Sequence, residues 1–171
     1  LTYWEEDPEA AVKALNNCYT YLGNMDEQLY SEAMTDNAYT KQPNDFTQNI
    51  GNGSYSTADS YVKQVWDGRY TGIRMCNQLL ENIDRVPDLD PELKKRYIGE
   101  AKVLRAYNYY ELYTKFGDVP YTTKVLSIKE SMSIARTDRA TVIANMLADL
   151  DEVINGNYLP ASYDADNKGR I

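Results

Sequence analysis

Apolar residues recur at intervals of three and four in four stretches of the chain, and helix start and stop residues bound each stretch. Val12, Leu15, Tyr19 and Leu22 form the first stripe. Asp7-Pro8-Glu9 precedes it in the order cap, first-turn proline, first-turn acid, and Gly23-Asn24 closes it. The second stretch runs from Ala58-Asp59 to Asp84 or Arg85, with Val62, Val65, Trp66, Tyr70, Ile73, Cys76, Leu80 and Ile83 on one face. Val86-Pro87-Asp88-Leu89 breaks the chain before Asp90-Pro91-Glu92 starts a third helix by the same logic as Asp7. Leu93, Tyr97, Ala101, Leu104 and Leu112 mark its core face, and Gly117-Asp118-Val119-Pro120 writes its stop. A fourth helix, capped by Thr137 or Asp138, carries Val142, Ile143, Met146, Leu147, Leu150, Val153 and Ile154 and ends at Asn155-Gly156.

Three acid-before-base pairs four residues apart, Glu81 with Arg85, Glu92 with Arg96 and Glu111 with Lys115, reinforce these helices by roughly 0.2–0.5 kcal/mol each. No alternating strand pattern competes with them. The reading is therefore all-α, with antiparallel helix pairs, residues 1–171 forming a single helical domain, an extended stretch from Tyr121 to Arg136 and a loop from Asn157 to Ile171. No 34-residue period is visible.

From Asn24 to about Thr57 the periodicity fades, apart from a short helical turn around Gln28 to Met34, and Asp, Asn, Gln, Gly, Ser and Tyr take over. Structureless connections beyond about 12–15 residues are uncommon in compact domains unless they are functional or disordered. Tyr39, Phe46 and Tyr55 argue against disorder, because disordered segments are poor in aromatics. This long polar surface loop is a candidate ligand surface.

Composition removes whole classes of chemistry. The chain has no histidine, which excludes Ser-His-Asp, Cys-His and His-based metal sites. A net charge of -8 with no basic run leaves no footprint for nucleic acid or anionic lipid. Many acidic pairs are present, but none stands out with the separation a glycosidase needs, so the chain reads as non-catalytic, without a cofactor. Cys18 and Cys76 lack metal or redox spacing and read as small buried hydrophobes, or as a disulfide if their helices meet there. Asp164-Ala165-Asp166-Asn167-Lys168-Gly169 mimics a calcium loop but places lysine where an oxygen ligand belongs, so it reads as a polar turn. Asn52-Gly53-Ser54 reads as a tight turn. No apolar run approaches the ~20 residues that span a bilayer.

Sixteen tyrosines and two tryptophans stand against two phenylalanines. The stretch from Tyr97 to Leu112, YIGEAKVLRAYNYYEL, followed by Lys115-Phe116-Gly117-Asp118-Val119-Pro120, resembles the core signature of the SusD/RagB family. Asp36-Asn37-Ala38, Trp66 with Tyr70 and Ile73, Cys76-Asn77, Ile83-Asp84-Arg85-Val86, Arg136, Asp149-Leu150-Asp151, Leu159-Pro160 and Gly169-Arg170-Ile171 follow the family in order. The resemblance implies the N-terminal portion of a longer nutrient-binding lipoprotein with tetratricopeptide-like helix pairs. Such a protein would be lipid-anchored at the outer membrane and face outward, with the anchor upstream of Leu1. It would capture glycans for a TonB-dependent, SusC-like transporter; a RagB-like subset handles peptides.

Sugars stack their C–H faces on aromatic rings while amides and charged groups fix their hydroxyls. Tyr39, Phe46 and Tyr55 are the candidate stacking faces, and Lys41, Asn44 and Gln48 the candidate polar contacts. The alternatives are that these residues order the loop or touch a protein partner, as they would in a helical scaffold without a small ligand. Asp36-Asn37 reads as a turn after the first helix, Trp66 as core, and Trp4 as packing or a ring platform.

Overall fold

The computed structural model describes residues 2–42 and 46–171. Among them lie helices α1 (Tyr3–Glu6), α2 (Ala10–Tyr19), α3 (Met25–Glu32), α4 (Phe46–Gly51), α5 (Ser60–Asn82), α6 (Pro91–Phe116), α7 (Ile128–Ser131) and α8 (Arg139–Asn155), with a 3-10 turn at Ile83–Arg85. Among the described residues the sole strand-like pairing is an antiparallel bridge between Val119 and Thr137. The chain forms two compact units, Leu1–Tyr21 with Arg69–Ile171, and Leu22–Gly68.

The long helices begin and end where the sequence places them. The Asp90 carboxylate accepts from Glu92 N and Leu93 N, both at 3.0 Å, satisfying two of the donors that a helix start leaves open. Asp138, rather than Thr137, caps α8, accepting from Ala140 N at 2.8 Å and Thr141 N at 3.3 Å. Gly117 ends α6 at φ 70°, a backbone angle that strains any residue with a Cβ.

Several expectations need correction. Asp7 caps a turn and not α2 itself: its side chain accepts from Glu9 N at 2.9 Å and its carbonyl from Ala10 N at 3.0 Å, so α2 starts two residues late. The region from 24 to 57 is not one loop, because Asn24 accepts from Glu27 N at 2.9 Å to start α3, and α4 follows. The stretch after Tyr121 holds α7, set by a capping box between Ser127 and Glu130. Leu93, Leu147 and Ile154 are 38%, 50% and 69% exposed, on the outer faces of their helices. Arg85 pairs with Glu5 at 2.9 Å while Glu81 accepts from Val125 N at 2.7 Å, and Arg96 turns to Glu100. Glu111 and Lys115 do pair.

In the larger unit, α6 packs against α2 and α8, and Leu15, Cys18, Cys76, Leu79, Leu104, Leu112 and Val142 are fully buried there. Cys18 and Cys76 are free thiols, in keeping with the small-hydrophobe reading. Four polar clusters hold the helices in register. Arg105, 4% exposed, donates to Asn77 Oδ1 at 2.8 Å and, through Nε at 3.1 Å, to Asp149, tying α6 to α5 and α8. Tyr109 donates its hydroxyl to Thr122 O and receives Thr122 N, both at 2.8 Å, and burial pushes its phenol pKa up. Asp118 joins the α6 stop to α8 by accepting from Arg139 N at 2.9 Å, while its carbonyl accepts from Arg136. The signature at Gly117–Pro120 is therefore a clasp between two helices.

The fourth cluster centres on Glu100, whose side chain is fully buried. Its carboxylate accepts from Tyr19 Oη at 2.7 Å and from Arg170 Nη1 at 3.2 Å, with Arg96 Nε 3.1 Å away. Arg170 also donates to Asn16 at 3.0 Å, and Ile171 N donates to Tyr19 Oη at 3.0 Å. The terminal Gly-Arg-Ile segment is locked onto α2 and α6 by one buried charge.

Candidate functional site

The residues singled out for ligand contact all fall in the unit Leu22–Gly68. Phe46 opens α4 and lies between two tyrosines. Its ring stacks on Tyr61, with centroids 4.4 Å apart and planes 22° off parallel, and meets Tyr30 at 5.3 Å and 54°. Such pairs stabilise by about 0.5–1.5 kcal/mol beyond the area they bury, so Phe46 anchors this segment.

Gln48, two residues later, donates Nε2 to the carbonyls of Thr40 at 2.6 Å and Gln42 at 2.9 Å. Thr40 Oγ1 and the buried Thr47 Oγ1 share a hydrogen bond of 2.6 Å. Three side-chain contacts thus pin the chain around Thr40 to α4. Tyr39 and Lys41 flank that pinned residue, and both are exposed, Tyr39 at 77%. Tyr55, 50% exposed, follows the Asn52-Gly53-Ser54 turn, in which Gly53 takes φ 75° and Ser54 N donates to Asn52 Oδ1 at 2.9 Å. Asn44 lies outside the described residues.

The five described candidates therefore divide by what their side chains touch. Tyr39, Tyr55 and Lys41 offer surface to solvent, while Phe46 and Gln48 are engaged with the segment itself. Tyr30 also offers a half-exposed ring, 43% accessible, beside Phe46. Tyr30 and Tyr61 were not among the candidates, because ring proximity between residues so far apart in sequence leaves no local signal. Between residues 22 and 68 seven carboxylates stand against two lysines, so the segment carries five net negative charges. Of the lysines, Lys63 is paired with Asp67.

Other motifs resolve into turns and packing. Asn37 N donates to Thr35 Oγ1 at 3.2 Å in an exposed bend, as a turn reading of Asp36-Asn37 requires. Asp164 Oδ1 accepts from both Asn167 N and Nδ2 at 2.9 Å, which makes that acidic segment a local polar turn. Trp4 is buried at 5% exposure, whereas Trp66 is half-buried.

The geometry defines an all-α protein of helix pairs braced by buried tyrosine, arginine and carboxylate side chains, with an aromatic, acidic and largely exposed segment inserted before its first long helix. Residues 9–170 match a SusD-like family model described as starch-binding and associating with the outer membrane. The chain belongs to the SusD-like family, and its helix-pair fold is tetratricopeptide-like. It is 25% identical to SusD-like protein P25 of Formosa agariphila over 98% of its own length and 36% of the relative. Surface glycan-binding protein A from Bacteroides uniformis superimposes with a TM-score of 0.84 at 26% identity, over 96% of this chain and 39% of that one. A laminarin-binding SusD-like protein does so with a TM-score of 0.81 at 26% identity, over 96% and 36%. The chain thus spans little more than a third of the length of these relatives.

Proposed function

We propose that this chain is the N-terminal helical domain of a non-catalytic, cell-surface glycan-binding protein. In this reading the whole protein is lipid-anchored at the outer membrane and hands captured oligosaccharide or polysaccharide to a TonB-dependent, SusC-like transporter. Tyr39 and Tyr55 supply stacking faces, Lys41 and Asn44 hydrogen-bond hydroxyls, and Phe46 and Gln48 hold the segment in shape.

The observation that carries the reading is the exposure of Tyr39 and Lys41 on either side of a residue pinned by Gln48 and Thr47. A ring held out on a fixed backbone loses little freedom when a sugar stacks on it, and preorganisation of that kind raises affinity. Two relatives named for glycan and laminarin binding support the ligand class. The acidic surroundings favour a neutral glycan over a uronate or sulfated one, because an anion would meet five net negative charges.

Affinity electrophoresis of the whole protein through gels containing starch or laminarin tests this, alongside a calorimetric screen of short peptides. Retardation by a neutral polysaccharide that Tyr39→Ala weakens is the expected result. Binding confined to peptides would assign the chain to the RagB-like class, and binding to neither would leave a protein scaffold.

A further inference from the structure

A second hollow lies in the larger unit, away in sequence from the Tyr39 segment. It has a volume of about 200 Å³, below the roughly 300–1,000 Å³ of sites for drug-sized ligands. Trp4, Ala14 and Met75 give it apolar lining, and Tyr3, Lys13, Asn17 and Gln78 add an aromatic ring and three hydrogen-bonding groups. The Tyr3 ring meets Trp4 edge to face, with centroids 5.4 Å apart and planes at 78°, and is 45% exposed.

The parts are fixed. Glu5, on the same short helix as Tyr3, receives Arg85 through Nη2 at 2.9 Å and Nε at 3.2 Å, which ties α1 to the 3-10 turn. Asn17 Nδ2 donates to Met75 Sδ at 3.1 Å, holding one amide at the wall. Lys13 lies 2.9 Å from Asp7 and 3.2 Å from Glu9, so the lone cation of the hollow is outnumbered by the carboxylates beside it.

An aromatic ring next to amide groups and apolar lining, in a space for one ring-sized molecule, matches the two sides of a pyranose: C–H face and hydroxyl rim. We infer that the hollow bounded by Tyr3, Asn17 and Gln78 is a secondary subsite for a single neutral sugar residue. This rests on the glycan reading above and adds to it a second point of attachment on the same chain. The carboxylates on Lys13 give the subsite a sign preference: a neutral hexose is accepted and a uronate is repelled. Two weak sites on one protein raise avidity for a polymer that can reach both.

The test uses the whole protein with Tyr39 and Tyr55 both changed to Ala, and ligand-observed saturation-transfer NMR with glucose, galactose, mannose and glucuronate as probes. A neutral hexose signal that falls about tenfold in apparent affinity on adding Tyr3→Ala or Gln78→Ala, and survives Tyr3→Phe, is expected, with glucuronate giving the weakest signal. Signals indifferent to both Tyr3→Ala and Gln78→Ala, or glucuronate bound as well as glucose, would overturn the subsite. Gln78 is exposed, so its replacement leaves the fold intact and keeps that outcome interpretable. Loss of polysaccharide binding on changing Tyr39 and Tyr55, together with hexose signals indifferent to Tyr3, rejects the subsite and leaves the first reading standing. The reverse pattern rejects the first reading alone.

Discussion

Replacing Glu100 by Gln removes the one buried negative charge that holds the end of the described chain. The carboxylate is fully buried, receives Tyr19 at 2.7 Å and Arg170 at 3.2 Å, and lies 3.1 Å from Arg96. Removing one partner of a buried ion pair costs about 3–5 kcal/mol because the other charge stays behind uncompensated. Here the guanidinium side chains of Arg96 and Arg170 are 16% and 19% exposed, so water recovers part of their solvation. The Gln carbonyl also still accepts one hydrogen bond. The expected loss is therefore about 2–3 kcal/mol, or a fall in Tm of roughly 4–12 °C at this chain length. Arg170→Met leaves Glu100 paired with Arg96 and costs about 1 kcal/mol. Urea unfolding of both single variants and the double variant gives the coupling between them. A Glu100→Gln variant within about 0.5 kcal/mol of the parent, or two substitutions that add without interaction, would refute a buried charge that couples Arg170 to Glu100.

Three further outcomes rest on other contacts of the fold. Gly72→Ala sets a methyl 2.8 Å from Asn108 Oδ1 and 2.9 Å from its Cγ, and overpacking of this kind costs about 1–3 kcal/mol, read as a lower urea midpoint at unchanged m-value. Cys18 and Cys76 are fully buried, and the neighbouring Cys18 thiol, together with burial, pushes the Cys76 thiol pKa up; both should resist alkylation in the native protein and react once it unfolds. The Lys124 ammonium, then the Ser127 amide and hydroxyl, lower Glu130 from its ordinary 4.5 to about 2. Its contribution to α7 is therefore complete above 4.5 and lost as pH falls through about 2. An NMR titration of the Glu130 carboxyl with a midpoint near its ordinary value would contradict that hydrogen-bonded geometry.

The long helices were legible because their signals are local: Asp90-Pro91 and Asp138 lie within one turn of the donors they cap, and Gly117 needs no distant partner to end α6. The same locality was available at Ser127 and Glu130, yet a four-residue helix has too few apolar positions to mark a period. What the sequence could not carry was partner choice. Arg85 has Glu81 at helical spacing, but tertiary packing brings Glu5 to it instead, and Arg96 has acids at helical spacing on both sides, Glu92 and Glu100, of which it takes the one that packing buries. Leu147 and Ile154 repeat with helical spacing on α8 yet face outward. The candidate site was legible as a composition and not as an arrangement, since only folding brings Phe46 between Tyr30 and Tyr61 or turns Gln48 onto the backbone of Thr40.

Calorimetry on the whole protein with a neutral oligosaccharide tests the proposed glycan capture by the Tyr39 segment. Tyr39 and Tyr55 are 77% and 50% exposed, so changing both to Ala leaves the unfolding midpoint in place. The double change is expected to weaken binding by at least about tenfold, near 1.4 kcal/mol, while Tyr39→Phe, which keeps the ring, retains affinity. An unaltered Kd in the Tyr39→Ala, Tyr55→Ala protein would contradict that capture.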